Sequence, residues 1–390
     1  MYNSEFNILI IAGEASGDIH GSGLVNALRD LLPKASFSGL GGKKMRAAKV
    51  HTFFDIERMG AIGVMEILGD LFHYWKVYQT LSSKISSGQY DAAILIDYPT
   101  LNLRIARLCR QKGCPVFFFI SPQIWAWRKS RIKQIRRDIN KMFVVLPFEE
   151  KIYSEAGVNT EFVGHPFLET VRPAMTREEA FEKFGLIPGR PVVGLLPGSR
   201  KNEINSLLQV MVQAAGKLKD SLKECQFMLP IADTVDPEFI HRQLGDNPLG
   251  IKTTEGQSYD VMNCCDSLII ASGSATLEAG ILGCPMVIVY RLNWLTYFIA
   301  KVLIKSEFIG LVNIVAGEKL AEELIQHEVT ADNIARESLK VLNDPIHHQA
   351  IRSRLLKVRE SLGEPGVMQR IAAHISNDLI ARSNHEKVSI

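Results

Sequence analysis

The sequence has no long hydrophobic run. The apolar stretch Phe6–Ala12 is too short for a signal-peptide core and leads straight into a glycine-rich turn. The most apolar later segment, Trp294–Ile304, contains Lys301 and falls short of the ~20 residues a spanning helix needs. The expectation is a cytoplasmic protein that does not cross a membrane, although it can lie on one. Cysteine is sparse: the residues at 109, 114, 225, 264, 265 and 284 form no Cys-x-x-Cys pair, and no His spacing completes a zinc site. Buried, reduced thiols are expected, with no metal and no cofactor. An excess of one charge is also missing. Lys and Arg number 45 against 42 Asp and Glu, and the resulting +3 argues against a general nucleic-acid binder. Low-complexity tracts do not occur. What remains, 46% hydrophobic and 22% charged residues, is an ordinary globular balance. At 390 residues the chain exceeds one ordinary core, so two domains are expected.

Short apolar runs punctuate the sequence. Asn7–Ala12 (NILIIA), Asp91–Ile96 (DAAILI), Pro115–Ile120 (PVFFFI) and Lys141–Leu146 read as buried parallel strands with helical patterning between them. One helix is expected from about Gly21 to Leu32, stopped by Pro33. After a Pro- and charge-containing stretch around Pro166–Arg190 the pattern restarts. Pro191–Leu196 (PVVGLL), Cys225–Pro230, Ser267–Ala271 and Pro285–Val289 are its strands. Gly113-Cys114-Pro115 and Gly283-Cys284-Pro285 echo each other, with Gly suited to a helix end and Pro preceding a strand. Strands alternating with helices imply βαβ units, so the fold class is α/β with two doubly wound Rossmann-like domains and parallel sheets. The expected boundaries are 1–168, 169–345, and C-terminal helices at 346–390 that pack back on the first domain. Two such domains create a cleft, and ligands bind at the carboxyl ends of the strands.

Chemistry is therefore sought just after each strand. The first loop, Gly13-Glu14-Ala15-Ser16-Gly17-Asp18-Ile19-His20-Gly21, lacks both the GxGxxG of a dinucleotide site and the GK[ST] of a Walker loop. Its glycines admit a ligand to the backbone, and Glu14 and Asp18 suit sugar hydroxyls better than phosphate. A tight turn with Asp18 or Ser16 as helix cap is the plain alternative. Asp97 follows an apolar strand, and burial moves such a carboxylate toward a base working near neutrality. A cap on the helix after Pro99 is the alternative. Gly198-Ser199-Arg200 is a Gly-containing turn opening a helix, offering backbone N–H groups, a positive dipole end and a bidentate guanidinium to a phosphate. Ser272-Gly273-Ser274-Ala275-Thr276-Leu277-Glu278 opens another helix with small donors, and Glu278 suits a ribose diol. The two turns form a candidate diphosphate clamp. Asn313, a polar amide in an apolar run, needs partners, either structural or from a ligand.

GEASGD at Gly13–Asp18, IDYPTLN at Ile96–Asn102, SPQIWAWR at Ser121–Arg128, FVGHP at Phe162–Pro166, LLPGSRKNEI at Leu195–Ile204, SGSATLE at Ser272–Glu278 and VNIVA at Val312–Ala316 follow in that order. Together they resemble the lipid-A-disaccharide synthase family, bacterial hexosyltransferases of the GT-B fold, over nearly the whole chain. The resemblance implies an inverting transfer of 2,3-diacylglucosamine from its UDP donor to the 6-hydroxyl of 2,3-diacylglucosamine 1-phosphate (lipid X). The products are UDP and a β(1→6)-linked lipid A disaccharide 1-phosphate. It implies Asp97 as the preferred base, with Asp18 and His20 as rivals. Glu14, Ser16, Gly17 and Asn313 then contact substrate. Gly198, Ser199, Arg200, Ser272, Gly273 and Thr276 hold the UDP phosphates, and Glu278 the ribose.

Acylated substrates further imply peripheral attachment to the cytoplasmic face of a Gram-negative inner membrane. Met59–Tyr78, with Val64, Met65, Leu68, Phe72 and Trp75, fits an acyl-binding or membrane-contacting surface, or else a core helix. Trp125, Trp127 and Arg128, followed by a basic run, fit an anionic interface or a solvated face. A homodimer is compatible with the sequence, and nucleic acid is not an expected partner. The alternatives are a UDP-N-acetylglucosamine 2-epimerase-like isomerase of the same fold, and a non-catalytic peripheral lipid-binding protein.

Overall fold

The computed structural model describes residues 5–56, 67–88, 90–125, 129–292 and 307–388. The chain divides into two compact units, Met1–Pro166 with Gly363–Ile390, and Phe167–Leu362. The first unit carries β1 (Asn7–Ala12), β2 (Ser36–Gly41), β3 (His51–Asp55), β4 (Ala92–Ile96), β5 (Val116–Phe119), β6 (Lys141–Val144) and β7 (Thr160–Phe162). They form one sheet in the order β3-β2-β1-β4-β5-β6-β7, and every neighbouring pair is parallel. The second unit carries β8 (Val192–Leu196), β9 (Gln226–Ile231), β10 (Lys252–Glu255), β11 (Ser267–Ala271), β12 (Met286–Tyr290) and β13 (Glu322–Ile325). Their order is β10-β9-β8-β11-β12-β13, again all parallel.

The central strands are almost entirely apolar because helices cover both faces of each sheet. Ile8 to Ala12 of β1 and Ala92 to Ile96 of β4 have no exposed surface. Burial of each Ile or Leu contributes about 1.5–3 kcal/mol of transfer free energy. In the first unit the helix Ala15–Leu31 lies under the returning helix Val367–Val388, where Met368 packs against Gly23. The return is fastened by Arg370, whose guanidinium donates to the carbonyl of Val163 at 2.7 and 3.1 Å. The helix Pro345–Ser361 instead packs on Ser274–Ile281 through Leu355. Residues 346–362 thus belong to the second unit, and only the last helix returns to the first, which corrects the expected boundary.

All six cysteines are buried and outside any disulfide. Among the described residues no helix is long and apolar enough to cross a membrane.

Candidate active site

Both sheets reverse their winding direction at one place, between β1 and β4 in the first unit and between β8 and β11 in the second. In a doubly wound sheet the connections on either side of that point leave toward opposite faces, so a crevice opens beyond the carboxyl ends of those two strands. The residues just past them are Gly13–Glu14 and Asp97 in one unit, and Gly198–Arg200 and Ser272–Ser274 in the other. These are the loops that the sequence singles out.

In the first unit, Asp97 and Tyr98 both adopt left-handed backbone, with φ of 47° and 44°. Two consecutive non-glycine residues in that region store strain of order 1–3 kcal/mol each. The Tyr98 ring lies over Gly13, where a Cβ atom would stand 2.4 Å from it, so only glycine fits. The Asp97 amide donates to the carbonyl of Phe119 (2.9 Å). Burial, and secondly the negative charge of Glu14, push the Asp97 carboxyl up from 3.8 to about 6. Asp97 is thus a carboxylate at neutral pH with enough proton affinity to act as a general base. Glu14 and Ser16 are exposed, and Gly17 is buried against Ala12. The helix begins at Ala15, earlier than its apolar pattern suggests, so Ser16 and Gly17 sit in its first turn.

Asp18 is a correction. Its buried carboxylate accepts from the backbone N–H of Gly42 (2.6 Å), Lys44 (2.9 Å) and Met45 (3.1 Å). It closes the start of the helix Lys43–Ala47, which has no capping side chain of its own, and is not free to act as a base. His20 is buried edge-on to Phe119, with ring centroids 6.0 Å apart. His165 lies near it, and burial followed by the charge of His20 lowers His165 from 6.5 to about 3. His165 is therefore neutral at physiological pH.

Trp125 turns inward. Its indole N–H donates to Glu149 at 3.0 Å and its ring stands edge-on to Phe148. The indole N–H is thereby satisfied within the first unit, with the residue half-buried. Burial raises the Glu149 carboxyl from 4.5 to about 7, against hydrogen bonds from the Trp125 indole and the Leu146 backbone N–H that favour the ionised form. Trp75 is 52% exposed, while Val77, Leu81 and Ile85 on the same helix, Ile67–Ser86, enter the core. Leu68 and Phe72 are on that helix with side chains outside the description, and Val64, Met65, Trp127 and Arg128 lie outside the described residues.

In the second unit a cavity of about 330 Å³ is lined by Gly198, Ser199, Arg200, Ser272, Gly273 and Glu278, among others. Gly198 has φ of 110°, and a Cβ there would meet the Glu203 carboxylate at 2.4 Å. Glu203 accepts from the Ser199 N–H and from the Arg200 guanidinium, both at 3.2 Å. Ser272 donates its hydroxyl to the carbonyl of Ile309 (3.0 Å). The helix Ser274–Ile281 starts at the cavity, so its first N–H groups and positive end border a space that suits an anion. Burial raises the Glu278 carboxyl, with Tyr259 hydrogen-bonded to it at 3.5 Å.

Two expectations fail in this unit. Thr276 has no exposed surface and its hydroxyl donates to the Gly273 carbonyl (2.8 Å), so Ser274 and Ala275 line the cavity in its place. Asn313 is also fully buried. Its amide donates to Ala321 O and Glu323 Oε1 at 2.8 Å, and its oxygen accepts from Leu320 N and Ala321 N at 2.9 Å. With those partners it is a structural fastener, not a ligand contact.

Sequence reasoning gave no individual role to Asn102, Glu149, His165 or Glu203, whereas Ser274 lay within the loop read as small donors. Only Glu203 had a local signal, a glutamate in the first turn of a helix facing a cationic neighbour. Among the described residues no group of three or more potential metal ligands gathers.

A family model described as Lipid-A-disaccharide synthetase matches residues 8–373. A lipid-A-disaccharide synthase of Geobacter sulfurreducens is 45% identical over 370 residues, covering 95% of this chain and 96% of its own. One from Nitrosococcus oceani is 38% identical over 389 residues and covers 100% of both. Among solved structures, a putative UDP-N-acetylglucosamine 2-epimerase from Listeria monocytogenes superposes with a TM-score of 0.64 at 13% identity, covering 97% of this chain and 98% of that one. A calicheamicin glycosyltransferase gives 0.59 at 14% identity, over 97% and 99%. At such identities the solved structures speak for the fold alone, an α/β fold of two parallel-sheet units in the GT-B class.

Proposed function

The chain belongs to the lipid-A-disaccharide synthase family, and from that premise we propose that it joins UDP-2,3-diacylglucosamine to lipid X. The acceptor 6-hydroxyl oxygen bonds to the anomeric carbon as the bond from that carbon to the UDP oxygen breaks, with inversion. Asp97 takes the hydroxyl proton. One further negative charge develops on the departing diphosphate oxygen, and the donors of Gly198–Arg200 and Ser272–Ala275 stabilise it there. Glu278 receives the ribose, and Glu14, Ser16 and Gly17 border the sugars.

The observation that carries this reading is the raised, half-buried Asp97 at the switch point of its sheet, with a pKa of about 6. A base in that range is ionised at neutral pH and still draws a proton in the transition state. The epimerase-like reading rests on neighbours at 10–13% identity, which share the fold only. A passive lipid-binding protein has no use for a donor-lined cavity beside Arg200.

Access to acylated substrates places the enzyme at a membrane surface. Trp75, exposed on a helix otherwise anchored in the core, is the side chain that supports this.

The test is to incubate the purified protein with UDP-2,3-diacylglucosamine, with and without lipid X, and to follow UDP and the disaccharide. UDP release that requires lipid X and matches disaccharide formation is expected. Release without acceptor, or none, contradicts the assignment.

A further inference from the structure

Asn102 stands in the interior of the first unit, on the helix Pro99–Gln111, with no exposed surface. Its side-chain amide donates two hydrogen bonds, to the carbonyls of Ile96 (3.1 Å) and Asp97 (2.7 Å). Its backbone N–H donates to the carbonyl of Tyr98 (3.1 Å). One residue therefore donates to the carbonyls of three successive positions, and the last two are the left-handed pair. The helix gives the turn no other closure: Tyr98 at its N-cap makes no side-chain cap, and Pro99 has no N–H to offer. On the opposite side the Tyr98 ring presses on Gly13. The strained turn is held by these two contacts and by the Asp97 N–H, which donates to the carbonyl of Phe119 (2.9 Å).

We propose that Asn102 is the positioning residue of the reaction: it locks the left-handed Asp97–Tyr98 turn and so fixes where the Asp97 carboxylate points. The physical argument is over-determination. A turn costing a few kcal/mol relaxes unless its surroundings repay the strain, and strain held in this way occurs where a side chain must be aimed. Removing the amide takes both of these hydrogen bonds from the turn and frees it to relax. The Asn102 Oδ1 is itself buried without a partner among the described residues. The residue is thus held here for its donor side, as is expected if its job is to hold carbonyls. The charged group facing Asp97 is Glu14, from the β1 crest. Relaxation of the turn carries Asp97 away from both burial and Glu14, which returns its carboxyl toward the ordinary range.

This inference rests on Asp97 being the base, and the experiment keeps the two apart. Initial rates of disaccharide formation are measured from pH 5 to 9 for the wild type, Asn102→Ala, Gly13→Ala and Asp97→Asn, with UDP affinity measured in parallel as a check on the second unit. The wild type should lose kcat/KM below an acid limb near 6. Asn102→Ala should lower the plateau roughly 10- to 100-fold, the cost of a small misplacement of a reacting group. It should also move the acid limb down by about one pH unit as Asp97 is resolvated. UDP affinity should stay within about twofold, since its donors lie in the other unit. Gly13→Ala strikes the same turn from the other side and should reproduce both changes, which keeps the proposal testable if Asn102→Ala folds poorly. A normal plateau, or a lowered plateau with an unmoved limb in both variants, overturns the positioning role. An active Asp97→Asn overturns the base assignment itself.

Discussion

If Asp18 fastens the neighbouring helix and is not the base, Asp18→Ala and Asp18→Asn must separate stability from turnover. Oδ1 takes the N–H groups of Gly42 and Met45 at 2.6 and 3.1 Å, and Oδ2 takes that of Lys44 at 2.9 Å. Gly42 and Met45 are buried, whereas Lys44 is exposed and can bond water instead. Asp18→Ala thus strands two buried donors, each costing about 1–3 kcal/mol, for a total of about 2–6 kcal/mol. Asn keeps an acceptor for the two buried groups and presents an amide to the exposed Lys44 N–H, so its cost is about 1 kcal/mol. Denaturant unfolding of the full chain should rank wild type, Asn and Ala in that order. Turnover of Asp18→Asn, measured well below its melting temperature, should remain near wild type. A stable Asp18→Asn with no turnover and normal UDP affinity would refute this reasoning and make Asp18 a reacting group.

Three further perturbations follow from the geometry. Asn313→Ala removes four hydrogen bonds from a fully buried site, so the second unit should lose about 3–6 kcal/mol in denaturant unfolding, whether or not UDP is present. Glu149 has a folded-state pKa near 7 against 4.5 for a free carboxyl, so between those values the folded chain binds a proton that the unfolded chain does not. Stability should fall by roughly 3 kcal/mol as pH rises through that window, and Glu149→Gln should flatten this slope in melting curves. Gly198→Ala places a Cβ against Glu203 in backbone with φ of 110°, and should weaken UDP binding by calorimetry about tenfold or more while leaving Asp97 chemistry per bound donor intact.

Much of the fold is legible because its central strands are continuous apolar runs. Asn7–Ala12 and Ser267–Ala271 match their predicted limits. The strands that escape sequence reading are mostly edge or near-edge ones. β10 reads KTTE, β13 reads EELI, and β2, SFSGLG, contains two glycines. Such strands are partly solvated, so nothing enforces an apolar pattern on them. The loops that line the candidate site were legible through their place after strands and through their glycines and small residues. What stayed hidden was the use of individual polar groups. Asp18, Thr276 and Asn313 have the chemistry of ligand contacts, yet each is consumed by partners within its own unit, mostly backbone and up to 27 positions away for Asp18. Asn102 and Glu149 are the converse: their burial, which makes them informative, depends on tertiary contacts with no sequence period.

The central claim is that Asp97 is the base of the transfer, acting on UDP-diacylglucosamine bound through the second unit. Asp97→Asn keeps the size of the side chain and removes its proton affinity. Turnover should fall by about 100-fold or more, the usual contribution of a positioned base. UDP affinity, measured by calorimetry on the same preparation, should be unchanged. Near-normal turnover in Asp97→Asn would contradict the account.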